Sequence, residues 1–412
     1  MTRQFLPYGR HRVTEDDRKA VAAVLTSDWL TQGPAVGQFE GALSDCIGAR
    51  EVVACSSGTA ALHLAMLALG IGPGDAVVTS ANTFLASASC ARYVGADVAF
   101  ADIDAETGNL SYSSVERLIR EDGAHCIKAI LPVHFAGQPC DIVGIRNLAT
   151  SHGARVVEDA CHALGAEYCD NGEWIRVGSC RHSDMTVFSF HPVKHVAMGE
   201  GGAISTDDPE MATRLRLFRN HGMRKDGFVD RALATTPDGR VNPWYYEMHE
   251  LGFNYRLTDI HAALGQSQLM RLPQSLERRR EIAARYDELI AKRFDPRAVR
   301  SLTKVTDVKH AYHLYVVQID FDELEVDRAT VMTGLREAGV GTQVHYIPVP
   351  LQPYYRKLYP SASEQIPETL SYYRQALSLP MYPELTDRDV ENVVETLEQT
   401  LAASHVGATH VG

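Results

Sequence analysis

We expect an α/β protein, with a mainly parallel sheet flanked by helices and a smaller C-terminal α/β domain. Short apolar runs that suit buried strands alternate with helical segments from about residue 50 to residue 160. Such alternation is typical of a parallel sheet covered on both faces. The 412 residues suffice for two domains. We predict a large domain over residues 1–270, which includes an N-terminal arm at 1–20, and a small domain over residues 271–412.

The alternating segments can be placed along the chain. The predicted strands of the large domain are 52–55, 76–79, 97–100, 129–133, 155–159, 185–190 and 202–206. Its predicted helices are 15–25, 60–69, 86–94, 113–120, 142–152, 209–219 and 257–272. In the small domain we predict strands at 312–319 and 342–346 and helices at 276–292, 328–338 and 387–402. Ligands of such sheets bind beyond the carboxyl ends of the strands, so we expect the functional residues there.

Composition and charge narrow the functional classes. The net charge of −12 argues against a nucleic-acid partner, and the longest basic run is Arg278-Arg279-Arg280. The eight cysteines are scattered without a C-x-x-C pair, so we expect reduced thiols, no metal site and a cytoplasmic location. The first residues lack the apolar core of a signal peptide, and no apolar run reaches the roughly 18 residues of a membrane span.

Three positions carry candidate chemistry. Ser57, Gly58 and Thr59 lie where a predicted strand turns into a helix, and free N–H groups there can bind an anion. The alternative is a simple helix N-cap. Asp159 ends an apolar strand, where a buried carboxylate requires a cationic partner. A protonated pyridine nitrogen would serve, and an ordinary strand-end salt bridge is the alternative.

Lys194 is the third candidate. It follows Phe188 and Phe190 and precedes a glycine-rich turn. Burial lowers the pKa of a lysine and makes it a nucleophile for Schiff-base chemistry. The alternative, which alone is the commoner one, is a solvated surface lysine whose stem covers apolar neighbours. The combination of an anion-binding turn, a strand-end aspartate and a lysine 35 residues later matches the phosphate, ring nitrogen and aldehyde of pyridoxal 5'-phosphate (PLP).

On these residues the chain resembles the DegT/DnrJ/EryC1/StrS sugar aminotransferases, which have the aspartate aminotransferase-like PLP-dependent transferase fold type I. The similarity extends over residues 5–400, and it is greatest to the branch of UDP-4-amino-4,6-dideoxy-N-acetyl-β-L-altrosamine transaminases of pseudaminic acid biosynthesis. The motifs that carry it are Leu30-Thr31-Gln32-Gly33-Pro34, Ser57-Gly58-Thr59, Thr83-Phe84, Glu158-Asp159-Ala160-Cys161-His162, Ser189-Phe190-His191-Pro192-Val193-Lys194, Gly199-Glu200-Gly201-Gly202, Gly252-Phe253-Asn254-Tyr255-Arg256 and Gln343-Val344-His345-Tyr346.

The resemblance implies roles for individual residues. Lys194 would bind the cofactor as a Schiff base and move the substrate proton, while Asp159 would keep the ring nitrogen protonated. Phe84 would stack on the ring, with His162 near its other side. The phosphate ligands would be Ser57, Gly58, Thr59, Ser189 and, across a dimer interface, Asn254. The implied substrate contacts, each of which could instead be a core or interface residue, are Tyr8, Trp29, Leu30, Thr31, Arg256, His313, Tyr315 and His345.

The activity implied is transamination of a UDP-linked 4-keto-6-deoxy-HexNAc at C4, with glutamate as amino donor, in a homodimer that shares its active sites. The polar and aromatic connection at residues 223–255 is expected to reach the neighbouring subunit. One alternative is a transaminase for another nucleotide-linked sugar, such as a dTDP-3-keto or 4-keto hexose. Another is a non-catalytic regulatory protein with this fold. Some family members carry histidine in place of the lysine and dehydrate sugars, so Lys194 favours transamination.

Overall fold

The computed structural model describes residues 5–408; residues 1–4 and 409–412 of the predicted arm and small domain lie outside the described part. The helices are α1 Glu15–Leu25, α2 Pro34–Ile47, α3 Gly58–Leu69, α4 Leu85–Tyr93, α5 Tyr112–Glu121, α6 Ile142–His152, α7 Pro209–Arg219, α8 Arg231–Ala234, α9 Asp259–Leu269, α10 Leu272–Arg293, α11 Arg328–Glu337, α12 Pro353–Leu358, α13 Pro367–Gln375 and α14 Asp387–Ala408. The strands are β1 Glu51–Cys55, β2 Ala76–Ser80, β3 Asp97–Ala101, β4 Ile127–Leu131, β5 Arg155–Asp159, β6 Glu167–Asp170, β7 Glu173–Arg176, β8 Met185–Ser189, β9 Gly202–Thr206, β10 Met223–Arg224, β11 Glu247–Met248, β12 Val299–Ser301, β13 Val308–Lys309, β14 Tyr315–Ile319 and β15 Ala376–Leu379.

A seven-stranded sheet forms the centre of the described chain, in the order β1-β9-β8-β5-β4-β2-β3. Strands β8, β5, β4, β2 and β3 run parallel to one another. β9 is antiparallel to both of its neighbours, β1 and β8. The predicted mainly parallel sheet is therefore confirmed, and its single reversed strand lies next to the strand that precedes Lys194.

Helices cover both faces of this sheet. Adjacent residues of β5 point to opposite faces, so that Val156 packs in one core and Val157 in the other. The first core is completed by apolar residues of α2, α5, α6 and α9, and the second by residues of α3, α4 and α7. Because both faces are buried, the central strands are apolar along nearly their whole length, which is why they were recognisable in the sequence.

The small domain has its own sheet and core. Strands β12, β14 and β15 pair antiparallel, with β14 in the middle. Residues of α10, α11 and α14 pack on this sheet around Tyr286, Val317 and Val394. This separate core supports our division near residue 270, which stays a proposal. Among residues 5–408, no helix is both long and apolar enough to cross a membrane.

Two predicted strands of the small domain need correction. Residues 342–346 do not form a strand: Gln343 makes a bridge to Ser378, after which the chain turns toward the large domain. The strand predicted at 312–319 begins only at Tyr315. The preceding residues are held by the large domain, where Ala311 N donates to the Gly137 carbonyl at 2.9 Å. In both cases a tertiary contact overrides a locally extended pattern.

Several elements were not predicted. Helix α2 starts with Pro34 at its first turn, and its free N–H groups are bound by a distant carboxylate. Asp259 accepts from Gly33 N at 2.8 Å and from Ala35 N at 2.9 Å. The hairpin β6–β7 was also missed, as was the pairing of β10 with β11 inside the connection at 223–255. These short strands lack the length and apolar character of the central ones.

Helix α1 is attached to the large domain through the buried side chain of Asp17. This carboxylate accepts hydrogen bonds from Ser267 at 2.7 Å and Gln268 at 3.1 Å, and Arg271 binds both of its oxygens. Burial raises the pKa of Asp17, but the Arg271 guanidinium and the other donors outweigh burial and lower it from 3.8 to about 2. The ionised form is therefore favoured in the folded protein.

We predict that Asp17→Asn is less stable than wild type by about 2 kcal/mol at pH 7, the energy of a pKa shift of this size. Since the pKa is lowered on folding, the stabilisation is present above pH 3.8 and is lost as the pH falls toward 2. The difference between variant and wild type should shrink over that range. Urea unfolding of the two proteins at several pH values measures it. Asp16→Asn, at an exposed position of the same helix, is the control; equal losses in the two variants would contradict the prediction.

Candidate active site

A cavity of about 620 Å³ opens at the carboxyl ends of the parallel strands, where the sequence predicted the functional residues. Both domains contribute to its wall. The predicted site residues that line it are Tyr8, Ser57, Gly58, Thr59, Phe84, Asp159, His162, Ser189, Lys194, His313 and His345. Residues separated by up to about 340 positions in the chain thus surround one space.

Asp159 lies at the end of β5 and is only 6% exposed. Its Oδ2 accepts from the Ser87 hydroxyl at 2.7 Å, and its Oδ1 accepts from the Cys161 backbone N–H at 3.1 Å. Within residues 5–408 this carboxylate has no ion-pair partner, so the salt-bridge alternative is not supported. A buried anion fixed by neutral donors at the cavity wall is suited to a cationic ligand group.

Lys194 lies in the segment 190–201 that joins β8 to β9. The two ends of this segment are held together, since Phe190 N donates to Gly201 O at 2.9 Å. The Lys194 Nζ atom is 3.3 Å from His313 Nε2. Burial lowers the pKa of the Lys194 ammonium group, although Cys161 and Asp159 oppose the shift. The neutral, nucleophilic amine is therefore easier to reach here than in a solvated lysine.

Two histidines form a polar wall beside the lysine. The rings of His162 and His313 are 4.3 Å apart, and His162 Nε2 is 3.1 Å from the Tyr346 hydroxyl. In each ring the Nδ1 atom is buried and has no hydrogen-bond partner in the described part of the chain. Burial, reinforced by the nearby Lys194, lowers the pKa of both histidines well below the ordinary value. Both rings are therefore neutral at pH 7 and offer unused polar atoms to a ligand.

The turn before α3 contains the N-cap of the helix, and strands β8 and β9 pack closely against its backbone. The Ser57 side chain accepts from Ala60 N at 3.1 Å, so for this side chain the N-cap alternative is correct. The N–H groups of the first helical turn have no partner within the helix. A Cβ atom on Gly58 would lie 2.8 Å from Ser189 Cβ, and one on Gly202 would lie 2.3 Å from the Ser57 carbonyl oxygen. Glycine at both positions allows β8 and β9 to pack directly against the first turn of α3.

These residues fit PLP. The start of α3 and the Ser189 hydroxyl offer donors for a phosphate, Asp159 offers a buried anion for a protonated ring nitrogen, and Lys194 offers an amine for the aldehyde. The unpartnered His162 Nδ1 provides a further polar atom in the same wall. No single one of these features is specific for PLP, but the cavity contains all of them.

Tyr315, one of the expected substrate contacts, is in the wrong place for that role, and we correct the expectation. Its ring is buried in the small-domain core and stacks on Tyr286 at 4.6 Å. Its hydroxyl donates to Asp287 Oδ1 at 2.6 Å. Tyr315 is the first residue of β14, and the alternation of side chains along that strand turns it away from the site.

Five other predicted residues lie outside the cavity wall, near the start of α9. Thr31 bridges to Thr258, and Leu30 O accepts from Asp259 N at 3.0 Å. Asn254 bridges to Asn220, whose side chain accepts from Arg256 at 2.7 Å. Trp29, Leu30, Thr31 and Asn254 are exposed in the isolated chain. The structure thus groups these residues with one another and apart from Lys194.

Sequence reasoning missed Ser87 and Tyr346 as site residues. Ser87 binds the Asp159 carboxylate from the first turn of α4, three positions after Phe84 of the Thr83-Phe84 motif. Tyr346 ends the Gln343-Val344-His345-Tyr346 motif, and its ring lies 6.2 Å from that of Phe84. The two motifs indicated the correct segments of the chain. The individual contacts depend on how distant segments meet, which no local pattern shows.

Comparison with known proteins agrees with this geometry. The family model described as "DegT/DnrJ/EryC1/StrS aminotransferase family" matches residues 11–398. The spore coat polysaccharide biosynthesis protein SpsC of Bacillus subtilis is 39% identical over 95% of this chain and 96% of its own. The apo structure of Spr1654 from Streptococcus pneumoniae matches with a TM-score of 0.85 and 30% identity, covering 98% of this chain and 99% of the other.

Other solved structures extend the comparison. Helicobacter pylori PseC, an aminotransferase of pseudaminic acid biosynthesis, matches with a TM-score of 0.85 and 28% identity over 97% of this chain and all of its own. Spr1654 has also been solved in PLP and pyridoxamine-phosphate (PMP) forms. This chain therefore belongs to the DegT/DnrJ/EryC1/StrS aminotransferase family, as a PLP-dependent sugar aminotransferase of fold type I.

Proposed function

We propose that the enzyme transfers an amino group from glutamate to C4 of a UDP-linked 4-keto-6-deoxy-HexNAc. The product would be UDP-4-amino-4,6-dideoxy-N-acetyl-β-L-altrosamine, an intermediate of the nonulosonic (pseudaminic) acid pathway. The observation that carries the transaminase chemistry is the half-buried Lys194 amine beside His313 in the cavity that also contains Asp159. The choice of sugar is supported by the likeness to PseC over nearly the whole chain.

PLP supplies an electron sink for the negative charge that develops when a proton leaves the substrate carbon. Residues of this chain carry out the proton transfer and position the reacting groups. In its neutral form, Lys194 Nζ can accept that proton and return it on the cofactor side. His313 Nε2, at 3.3 Å, orients the amine by a hydrogen bond. The Asp159 carboxylate, fixed by Ser87 and Cys161 N, would hold the ring nitrogen of PLP in its protonated form.

The sugar would bind toward the small-domain side of the cavity. Tyr8 and His345 have ring centroids 5.5 Å apart, and His345 Nδ1 is 2.8 Å from the Ser378 hydroxyl. Burial lowers the pKa of His345 to about 3, so this ring is neutral at pH 7. Tyr8, His313 and His345 thus provide neutral hydrogen-bonding groups and flat apolar surfaces, which suit a sugar.

We further propose a homodimer in which each subunit completes the other's site. The connection at 223–255 exposes large apolar side chains, with Trp244 at 72% and Leu251 at 75% exposure. Apolar groups exposed to this extent favour a covering partner. Asn254 lies near the end of this connection and Arg256 directly follows it, so a second copy that covers the connection could receive both residues at its phosphate and substrate positions. A cytoplasmic location is also part of the proposal, and the free thiols of all eight cysteines support it.

The first test is the absorption spectrum of the PLP-loaded protein before and after addition of glutamate. We expect the wild type to show a visible band that moves toward the near-ultraviolet. Lys194→Ala should lose that band and slow the glutamate reaction about 10³-fold or more, because it lacks both the Schiff-base amine and the proton carrier. Lys128→Ala, at the exposed second residue of β4, is the matched control. A wild-type spectrum in the Lys194 variant would refute the assignment.

The shared site is tested by Asn254→Ala. If Asn254 binds the cofactor phosphate of the neighbouring subunit, its loss should weaken PLP binding about tenfold, the effect of one hydrogen bond to a charged group. Equilibrium dialysis of PLP measures this affinity, and analytical ultracentrifugation measures the dimer. Asn171→Ala, at an exposed turn, serves as control. A stable dimer of the Asn254 variant with full PLP affinity would disprove the proposed contact.

The substrate is tested by comparing UDP- and dTDP-linked keto sugars under identical conditions. We expect kcat/KM to be at least about tenfold higher for the UDP-linked 4-keto-6-deoxy-HexNAc, since a lost polar contact to the ribose 2′-hydroxyl or the N-acetyl group costs that much. Product analysis by NMR identifies the aminated carbon. Preference for a dTDP-linked 3-keto or 4-keto hexose would replace our proposal by the alternative nucleotide sugar.

A further inference from the structure

A second cavity, of about 290 Å³, adjoins the lysine segment. It lies between the N-terminal arm, the segment 194–197 and the first turns of α10, and Lys194 lines both this cavity and the larger one. Five arginines line it, and we therefore call it the arginine cavity: they are Arg10, Arg12, Arg271, Arg278 and Arg279. None of the transamination chemistry described above uses them.

Two of these arginines already have carboxylate partners. Arg271 binds Asp17, and Arg278 binds Glu281 and Asp387 at 2.8 Å each. These pairs leave little free charge for a ligand. The positive charge of the cavity therefore depends on the remaining three arginines.

The positive charges of Arg10, Arg12 and Arg279 are only partly balanced by carboxylates. Glu384 is the one carboxylate residue that lines the cavity within residues 5–408, and its Oε1 is 3.8 Å from Arg12 Nε. Arg10 and Arg279 have no ion-pair partner in the same described range. One carboxylate thus faces three guanidinium groups, an excess of about two positive charges.

Arg279 shows most clearly that the site is built for an anion. Its side chain is 2% exposed, and its Nη1 donates to the carbonyls of Tyr312 at 2.9 Å and Met381 at 3.1 Å. Its Nε is buried and finds no acceptor among residues 5–408. Burial lowers the pKa of Arg279 to about 10, so the group stays charged at pH 7. A buried cation with an unused N–H is costly unless an anion binds to it.

We propose that the arginine cavity binds a small dianion, either a short dicarboxylate or inorganic phosphate. The excess of two charges matches a dianion, and guanidinium groups pair with both carboxylate and phosphate oxygens in a planar fork. The volume of about 290 Å³ is at the lower end of the range for ligand pockets, which suits a small anion. This site is separate from the substrate site and goes beyond the proposed function.

The test is isothermal titration calorimetry of the PLP-loaded enzyme with inorganic phosphate and, separately, with succinate. We expect saturable binding of at least one of them. Arg10→Gln and Arg12→Gln should each weaken it about tenfold, the effect of losing one charge-assisted hydrogen bond. Both positions are exposed, so the variants should fold. Arg297→Gln, at a distant exposed site, should bind as wild type does.

The outcomes separate the possible ligands and the possible sites. Tighter binding of phosphate identifies a phosphate site, and tighter binding of succinate identifies a dicarboxylate site. Arg10 lines the arginine cavity and not the larger one, so binding that is unaffected in Arg10→Gln would place the anion elsewhere and overturn the proposal. Absence of saturable binding by both anions would also overturn it. Because this titration needs no sugar turnover, failure of the substrate proposal would leave its result unaffected.

Discussion

The close approach of three backbone segments determines the geometry of the active site. Gly202 of β9 lies against the Ser57 carbonyl, and Gly58 lies against Ser189 at the end of β8. A side chain at either glycine would push the start of α3 away from the strands that flank Lys194. The turn before α3 and the segment that carries Lys194 are therefore not independent features, since their spacing follows from backbone contacts that require glycine.

Several polar groups of the site are either uncharged or have no charged partner. Burial lowers the pKa of Lys194 and, more strongly, the pKa values of the neighbouring histidines His162 and His313, whose rings are neutral at pH 7. Asp159 is buried with neutral donors. A ligand that brings its own phosphate and its own ring nitrogen finds groups that complement both, without competing internal ion pairs. This arrangement explains why a buried aspartate without a salt bridge is tolerated.

Much of this arrangement could be read from local sequence, and the exceptions have physical causes. Asp159 ends an apolar strand and Lys194 lies in the segment that follows another, and both strands were apolar enough to recognise in the sequence. The prediction for Tyr315 was wrong because the orientation of its side chain depends on where β14 begins. The start of β14 is set by backbone contacts with residues 136–137. Ser87 and Asp259 bind partners 72 and more than 220 positions away. Such contacts exist only once the chain has folded.

The reversed direction of β9 has a consequence for the lysine. In a purely parallel sheet, the loop after a strand leads into a helix on one face, and its far end is not tied to the neighbouring strand. Here the segment 190–201 leaves β8 and returns directly into β9 at the same edge of the sheet. The lysine therefore sits on a short closed span anchored at both ends, whose conformational freedom is small. In the role proposed for Lys194, its amine would detach from and rejoin a bound group while the backbone of the segment keeps its position.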